Sequence, residues 1–349
     1  MLQDMLKYIQ PSDKAVYAAC TRRFDSIAKP VGSLGKLEQL ISSIGAITGT
    51  PDVCIRKKCV LVFCADNGVA VQGIAQCDAS ITAAIAGMMA NGTSSVCTMA
   101  AAVGADVIPI DIGMNSTVEG LIDRKLMAGT NDISKGSAMT RQCAEKAIMT
   151  GISLVKERKE AGYHIIATGE AGIGNTTTTA AMASVLLNLP ASQTAGRGAG
   201  LSDQGLMHKR TVIERAIAIN QPDPADPIDI LHKLGGLDIA AMTGVFLGGA
   251  IYRIPIVMDG VISSAAALTA VRLCPYVKDY ILPSHLSAEP VGRLIINELG
   301  VSPILHGDMR LGEGTGAVTI FPLLDMAAEV YNHSATFEQI SVEAYKQYP

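Results

Sequence analysis

His164-Ile165-Ile166-Ala167-Thr168-Gly169-Glu170-Ala171-Gly172-Ile173-Gly174-Asn175-Thr176 is an apolar run that breaks into glycines and then meets Thr177-Thr178-Thr179-Ala180-Ala181. The order predicts a strand ending at Thr168, a glycine loop from Gly169, and the start of a helix. Glycines let a backbone approach a ligand closely, and the N–H groups at a helix N-terminus favour an anion, so Gly172, Ile173, Gly174, Asn175 and Thr176 form a candidate phosphate cradle. Gly169-x4-Gly174-Asn175-Thr176 also comes close to a triphosphatase P-loop, but the P-loop lysine is missing. Without a ligand, the stretch reads as a glycine turn joining strand to helix.

Similar apolar runs recur outward from this point. Lys58-Cys59-Val60-Leu61-Val62-Phe63-Cys64-Ala65 is a continuous strand-length run. Val107 to Gly113, Ile254 to Gly260 and Tyr280 to Leu282 share the form, with helical stretches between them. Continuous apolar strands separated by helices predict βαβ units, hence an α/β fold with a Rossmann-like parallel sheet and helices on both faces. Ligands in such sheets sit at the carboxyl ends of the strands. Asp66-Asn67-Gly68, Asp111-Ile112-Gly113, Gly169-Glu170, Asp259-Gly260 and Ser284-His285 are therefore expected to meet in one cleft.

Composition narrows the function. Of the 349 residues, 49% are hydrophobic and 17% charged, enough for a large buried core. A net charge of -4 and the absence of Trp argue against a nucleic-acid surface. Charges within Met1 to Tyr8 argue against a secretion signal. The uncharged run Ala79 to Ala105 is interrupted by Asn91-Gly92-Thr93-Ser94-Ser95 and is read as two buried helices rather than a membrane span. The eight cysteines are expected to be reduced core residues of a cytoplasmic protein. Their spacing, and that of His208, His232 and His306, matches no metal site, and no cofactor is expected.

Other stretches carry candidate chemistry. Ala195-Gly196-Arg197-Gly198-Ala199-Gly200 is a second glycine loop, and Lys209 on the following helix could neutralise a phosphate at the first or stand on the surface. Lys29, in the loop Lys29-Pro30-Val31-Gly32-Ser33-Leu34-Gly35, could approach a ligand or stay solvated. Gly235 to Gly244 begins a small-residue helix suited to close packing. Glu313 stands between glycines just before the apolar helix Val318 to Val330, a setting suited to a general base whose pKa rises as the site closes.

Taken in order, Lys29 to Gly35, Ala65-Asp66-Asn67-Gly68-Val69, Gly169 to Thr177, Gly196 to Gly200, Ser287-Ala288-Glu289-Pro290 and Arg310 to Ala317 resemble the nicotinate-nucleotide:dimethylbenzimidazole phosphoribosyltransferases over nearly the whole chain. The resemblance implies a large α/β domain (51–305) and a small helical domain from both chain ends (1–50 and 306–349), assembled as a dimer. It implies that nicotinate mononucleotide donates its phosphoribosyl group to an aromatic acceptor, giving an α-ribotide. Glu313 matches the family's base, and Gly172 to Thr176 with Lys209 match its phosphate site. Gly198, Ser287 and Glu289 match the nicotinate and ribose side. Ala75, Gln76, Ala84, Glu170, Ala171 and Leu311 match the acceptor pocket.

Departures from the pattern cluster near the acceptor. Ala75, Cys77-Asp78 and Ala84 replace the Ser, Tyr-Pro and Gln that the family usually carries, and Ala171 replaces Met or Leu. The chemistry is therefore expected to be kept while the acceptor changes, to another benzimidazole, a purine or a phenol. Val291-Gly292 replaces the usual Gly-His, which raises pairing with a paralogous subunit as an alternative to a homodimer.

Overall fold

The computed structural model describes residues 2–345. Six parallel strands form one sheet: β1 (Lys58–Ala65), β2 (Ala105–Gly113), β3 (Ile122–Asp123), β4 (Ile165–Ala171), β5 (Ile256–Met258) and β6 (Ile281–Pro283), in the order β3-β2-β1-β4-β5-β6. The chain winds outward from β1 through β2 and β3, then returns to add β4 on the other side. This reversal makes the β1–β4 boundary the switch point of the sheet, and a cleft opens on its β4 side.

All eight residues of β1 are buried, as are all seven of β4. Successive side chains alternate between faces. On one face the Thr168 hydroxyl meets Ser263 of the helix Val261–Leu273 at 2.6 Å. On the other, Gly169 faces the backbone at Glu313 and Gly314, which leads into the helix Thr315–His333. The small-residue helix begins at Leu237 and ends at Tyr252. Its Gly244 lies so near the helix Arg141–Glu160 that a Cβ would be 1.9 Å from the Ile148 carbonyl oxygen, so no larger residue permits this crossing.

Several elements depart from the sequence expectation. The predicted strand end at Thr168 is too early: Gly169, Glu170 and Ala171 continue β4 opposite Val62, Phe63 and Cys64. Gly169 serves a close approach, since a Cβ there would lie 2.6 Å from the Glu313 carbonyl oxygen. The loop proper is Gly172-Ile173-Gly174. β3 escapes prediction because two residues on one neighbouring strand leave no apolar run. Ala79 to Ala105 does form two helices, Ser80–Ala90 and Ser95–Ala102, but each buries only one face, and the first leaves Ile81 and Met88 exposed. Among the described residues, no helix is long and apolar enough to cross a membrane. All eight cysteines are free, yet Cys54 is exposed and Cys77, Cys97 and Cys143 are only half-buried.

The N-terminal helices meet the C-terminal one. Helices Lys14–Ser26 and Lys36–Thr48 pack together, and the latter packs on Thr315–His333. Ala28 N–H donates to the Ala335 carbonyl at 2.9 Å, and the Phe24 and Tyr331 rings meet at 4.9 Å, tilted by 57°. Lys29 points inward to an ion pair with Glu38 at 2.6 Å, so it serves the loop rather than a ligand.

Candidate active site

A cleft opens at the carboxyl ends of β4, β5 and β6. Glu170, Asp259-Gly260 and His285 line it, as the strand ends predict. The ends of β1 and β2 do not. Asp66 instead accepts from the Asn115 N–H at 2.7 Å, and Asp111 accepts from Met114 N–H at 2.9 Å while pairing with Lys125 at 3.1 Å. Both carboxylates hold the loops that follow their strands, Asp66 through Oδ2 alone.

One wall is the start of the helix Asn175–Leu186. Ile173 lines the cleft, but its N–H is taken by the Thr82 hydroxyl at 3.2 Å. The Thr176 N–H has no protein partner among the described residues and Thr176 lines the cleft, so this donor remains available to an anion, whereas Gly174 is buried against Asn67 and Val69 and does not line the cleft. Lys209 is fully buried on the helix Asp203–Asn220 and donates to Thr176 Oγ1 at 2.8 Å. Burial presses its pKa down to about 8, against the opposing pull of Glu289. A buried ammonium held by one hydroxyl is a costly arrangement that a phosphate would relieve.

The neighbouring wall joins the second glycine loop to Ser287 and Glu289. Glu289 accepts from Gly198 N–H at 2.9 Å, and a Cβ on Gly198 would lie 3.6 Å from Lys209 Nζ. Gly198, Ser287 and Glu289 therefore share one side of the cleft beside the helix Asn175–Leu186.

Opposite stands Glu313 in the left-handed region at φ 60°, between Gly312 and Gly314, which adopt the same hand. An L-residue rarely takes this conformation, and here it turns the carboxylate into the cleft. Glu313 N–H donates to the Glu170 carbonyl at 3.1 Å. Its Oε2 accepts from Val96 N–H at 3.2 Å, in the first turn of Ser95–Ala102. Burial raises the Glu313 pKa; the Val96 hydrogen bond opposes this and the charge of Asp259 adds to it. A half-buried carboxylate with a raised pKa and a free edge is equipped to take a proton.

Three more carboxylates lie close by. Burial lifts Glu170 well above the ordinary range, with Asp238 and Asp259 adding repulsion. Burial likewise brings Asp238 to about 6 and raises Asp259, the latter opposed by His285. Asn175 Nδ2 donates to Glu170 and also to Asp238 at 3.3 Å. Among the described residues, no three His, Cys, Asp or Glu side chains converge as metal ligands would.

The acceptor-side residues divide. Glu170, Ala171 and Leu311 line the cleft, whereas Ala75, Gln76 and Ala84 do not. Gln76 reaches across to the Gly200 carbonyl and ties its loop to the second glycine loop. Ala84 is exposed, because the helix Ser80–Ala90 turns Ile85 to the cleft. Ile85 and Met309 line the cleft without any expectation from the sequence, and Arg310 joins them from the stretch that carries Glu313. Only the helical phase of Ser80–Ala90, anchored by buried Thr82, Ala86 and Met89, would have pointed to Ile85.

The model of a phosphoribosyltransferase family, DBI_PRT, matches residues 9–342. The nicotinate-nucleotide--dimethylbenzimidazole phosphoribosyltransferase of Clostridium acetobutylicum is 44% identical over 347 residues, 99% of each chain. The enzyme of the same name from Acetivibrio thermocellus is 45% identical over 348 residues, again 99% of each. The crystal structure of CobT from Thermus thermophilus superposes with a TM-score of 0.89 at 34% identity, covering 94% of this chain and 99% of that one.

Proposed function

Because the chain belongs to this phosphoribosyltransferase family, we propose that it moves the phosphoribosyl group of nicotinate mononucleotide to an aromatic acceptor of the dimethylbenzimidazole class. The observation that carries the reading is one cleft with two unlike walls: a helix N-terminus backed by buried Lys209, and a raised-pKa glutamate facing it.

The donor phosphate sits at the Thr176 N–H, beside the Thr176 hydroxyl that Lys209 holds. The pyridine ring lies toward Ser287 and Glu289. An acceptor nitrogen or hydroxyl oxygen attacks C1′ as the bond from C1′ to the pyridinium nitrogen breaks. The bonding pair returns to the ring, which leaves as nicotinate, and Glu313 takes the acceptor's proton. Attack from the face opposite the leaving group turns the β-configured donor into an α-ribotide. The pyridinium departs as a neutral ring, so the leaving group needs no proton and the protein's one essential transfer is at Glu313.

The acceptor subsite is bounded by Glu170, Ala171, Leu311 and Ile85. Ala171 supplies little bulk, which favours an acceptor other than dimethylbenzimidazole, a phenol among them. The second reading, a phenolic acceptor handled beside a paralogous subunit, rests on Ala171 and on the Val291-Gly292 departure. We also read 1–50 with 306–349 as a small helical domain against the larger 51–305, and the working unit as a dimer.

An acceptor panel tests the reading. Purified chain with nicotinate mononucleotide and either dimethylbenzimidazole, a purine or p-cresol should release nicotinate, with at least one alternative acceptor matching or exceeding dimethylbenzimidazole. Strong preference for dimethylbenzimidazole over every other acceptor would remove the altered-pocket claim; release only after a paralogue is added would remove the homodimer.

A further inference from the structure

Behind the cleft wall lies a buried layer of four polar side chains that runs from the end of β1 to the acceptor side. Asp238 is its centre. It is fully buried in the first turn of Leu237–Tyr252 and does not line the cleft. Its Oδ1 accepts from Ile239 N–H at 2.9 Å and its Oδ2 from Asn175 Nδ2 at 3.3 Å. The same Asn175 nitrogen donates to Glu170, which does line the cleft. On the other side lies Asn67, only 1% exposed, whose Oδ1 and Nδ2 have no hydrogen-bond partner among the described residues. Asn67 and Asp238 border the same two glycines. A Cβ on Gly236 would lie 2.3 Å from Asp238 Oδ1 and 2.5 Å from Asn67 Oδ1, and one on Gly172 would lie 3.1 Å from both Asn67 Nδ2 and Asp238 Oδ2.

Packing alone does not account for this layer. Apolar residues of similar volume would fill the space with no desolvation penalty, and two buried carboxylates that share one amide donor repel each other. What the arrangement does secure is orientation. Asn175 is the first residue of the helix Asn175–Leu186, so its side chain ties that helix start to the Glu170 carboxyl, and Asp238 holds the same amide group.

Resting on the reaction set out above, we propose that Asp238 is a positioning residue for phosphoribosyl transfer: it fixes Asn175, and through Asn175 it joins the donor-phosphate helix to Glu170 at the acceptor side. Asp238 touches neither substrate. Its effect on turnover runs through Asn175, and this distinguishes it from a residue that only supports the fold.

A double-mutant cycle tests this, with Asp238→Asn, Asn175→Ala and the pair compared by kcat/KM for nicotinate release. In Asp238→Asn the side chain can serve Ile239 or Asn175 as acceptor, but not both. Each single change should lower kcat/KM by about ten- to a hundredfold, the scale of a misplaced reacting group. The pair should be no worse than about twofold beyond the weaker single variant, since both break the same link. An effect of the pair equal to the product of the singles overturns the proposal.

Amide hydrogen exchange over residues 172–178 gives a readout that needs no turnover. Exchange there should quicken about tenfold or more in Asp238→Asn while the melting temperature of the variant stays within a few degrees of wild type. Unchanged exchange in that segment overturns the proposal. If the wild-type chain releases no nicotinate, the proposed reaction fails, while the exchange result still decides the role of Asp238. Asp238→Ser replaces Asp238→Asn in both measurements if the latter does not fold; its shorter side chain cannot reach Asn175.

Discussion

The Glu313 backbone N–H donates to the Glu170 carbonyl at 3.1 Å, which binds the loop carrying the candidate base to the carboxyl end of β4. The contact forms because Gly169, the residue before, has no side chain. A Cβ there would stand 2.6 Å from the Glu313 carbonyl oxygen and 2.9 Å from Gly314 N. Gly169→Ala should therefore push the loop away, with an overpacking cost of about 1–3 kcal/mol. The expected outcome is a melting temperature lower by several degrees and a transfer rate at least tenfold lower, measured by thermal unfolding and nicotinate release. A variant that matches wild type in both would show that the loop adjusts freely.

Lys209 should trade stability for binding. Its folded pKa of about 8 lies below the 10.5 of a solvated lysine. The unfolded chain therefore holds more protons between pH 8 and pH 10.5, and stability should rise with pH across that window. Below pH 8 the buried ammonium costs on the order of 3 kcal/mol. Lys209→Met should raise the melting temperature at pH 7 while raising the donor KM at least tenfold. In the wild type, donor KM should climb above pH 8 as the ammonium is lost. A fall in both stability and binding in Lys209→Met would mean that the ammonium is already compensated within the protein.

Ala171 sets the acceptor volume on this account. It is 4% exposed on the cleft wall, next to Glu170. Ala171→Leu should shift preference toward one acceptor, raising the KM of the bulkier members of the panel about tenfold or more and leaving donor KM within twofold. Equal effects on donor and acceptor KM would place the side chain outside the acceptor subsite.

How far the sequence speaks follows from the range of each interaction. β1 and β4 are legible because strands covered on both faces are apolar throughout. Glu313 is legible because a lone acid between glycines before an apolar helix has little structural reason to be there. Gly169 is misread as a turn residue, since the constraint on it comes from Glu313, far along the chain. Ala84 is expected in the pocket and Ile85 occupies the wall, a one-residue error in helical phase that only tertiary contacts resolve. Asp238 shows no local sign of a role, because its side-chain partner Asn175, the Glu170 that Asn175 also holds, and the neighbouring Asn67 come from two other segments.

The central claim is that the Glu313 carboxylate removes the acceptor's proton. Burial raises its pKa, so the acid limb of the kcat/KM profile should turn at a pH above the ordinary glutamate range, with activity gained as the carboxylate ionises. The decisive measurement is that profile for nicotinate release in wild type and in Glu313→Gln. A loss of about 10²–10⁴-fold is expected in the variant, with the acid limb gone. A variant that keeps wild-type turnover and the same acid limb would contradict it.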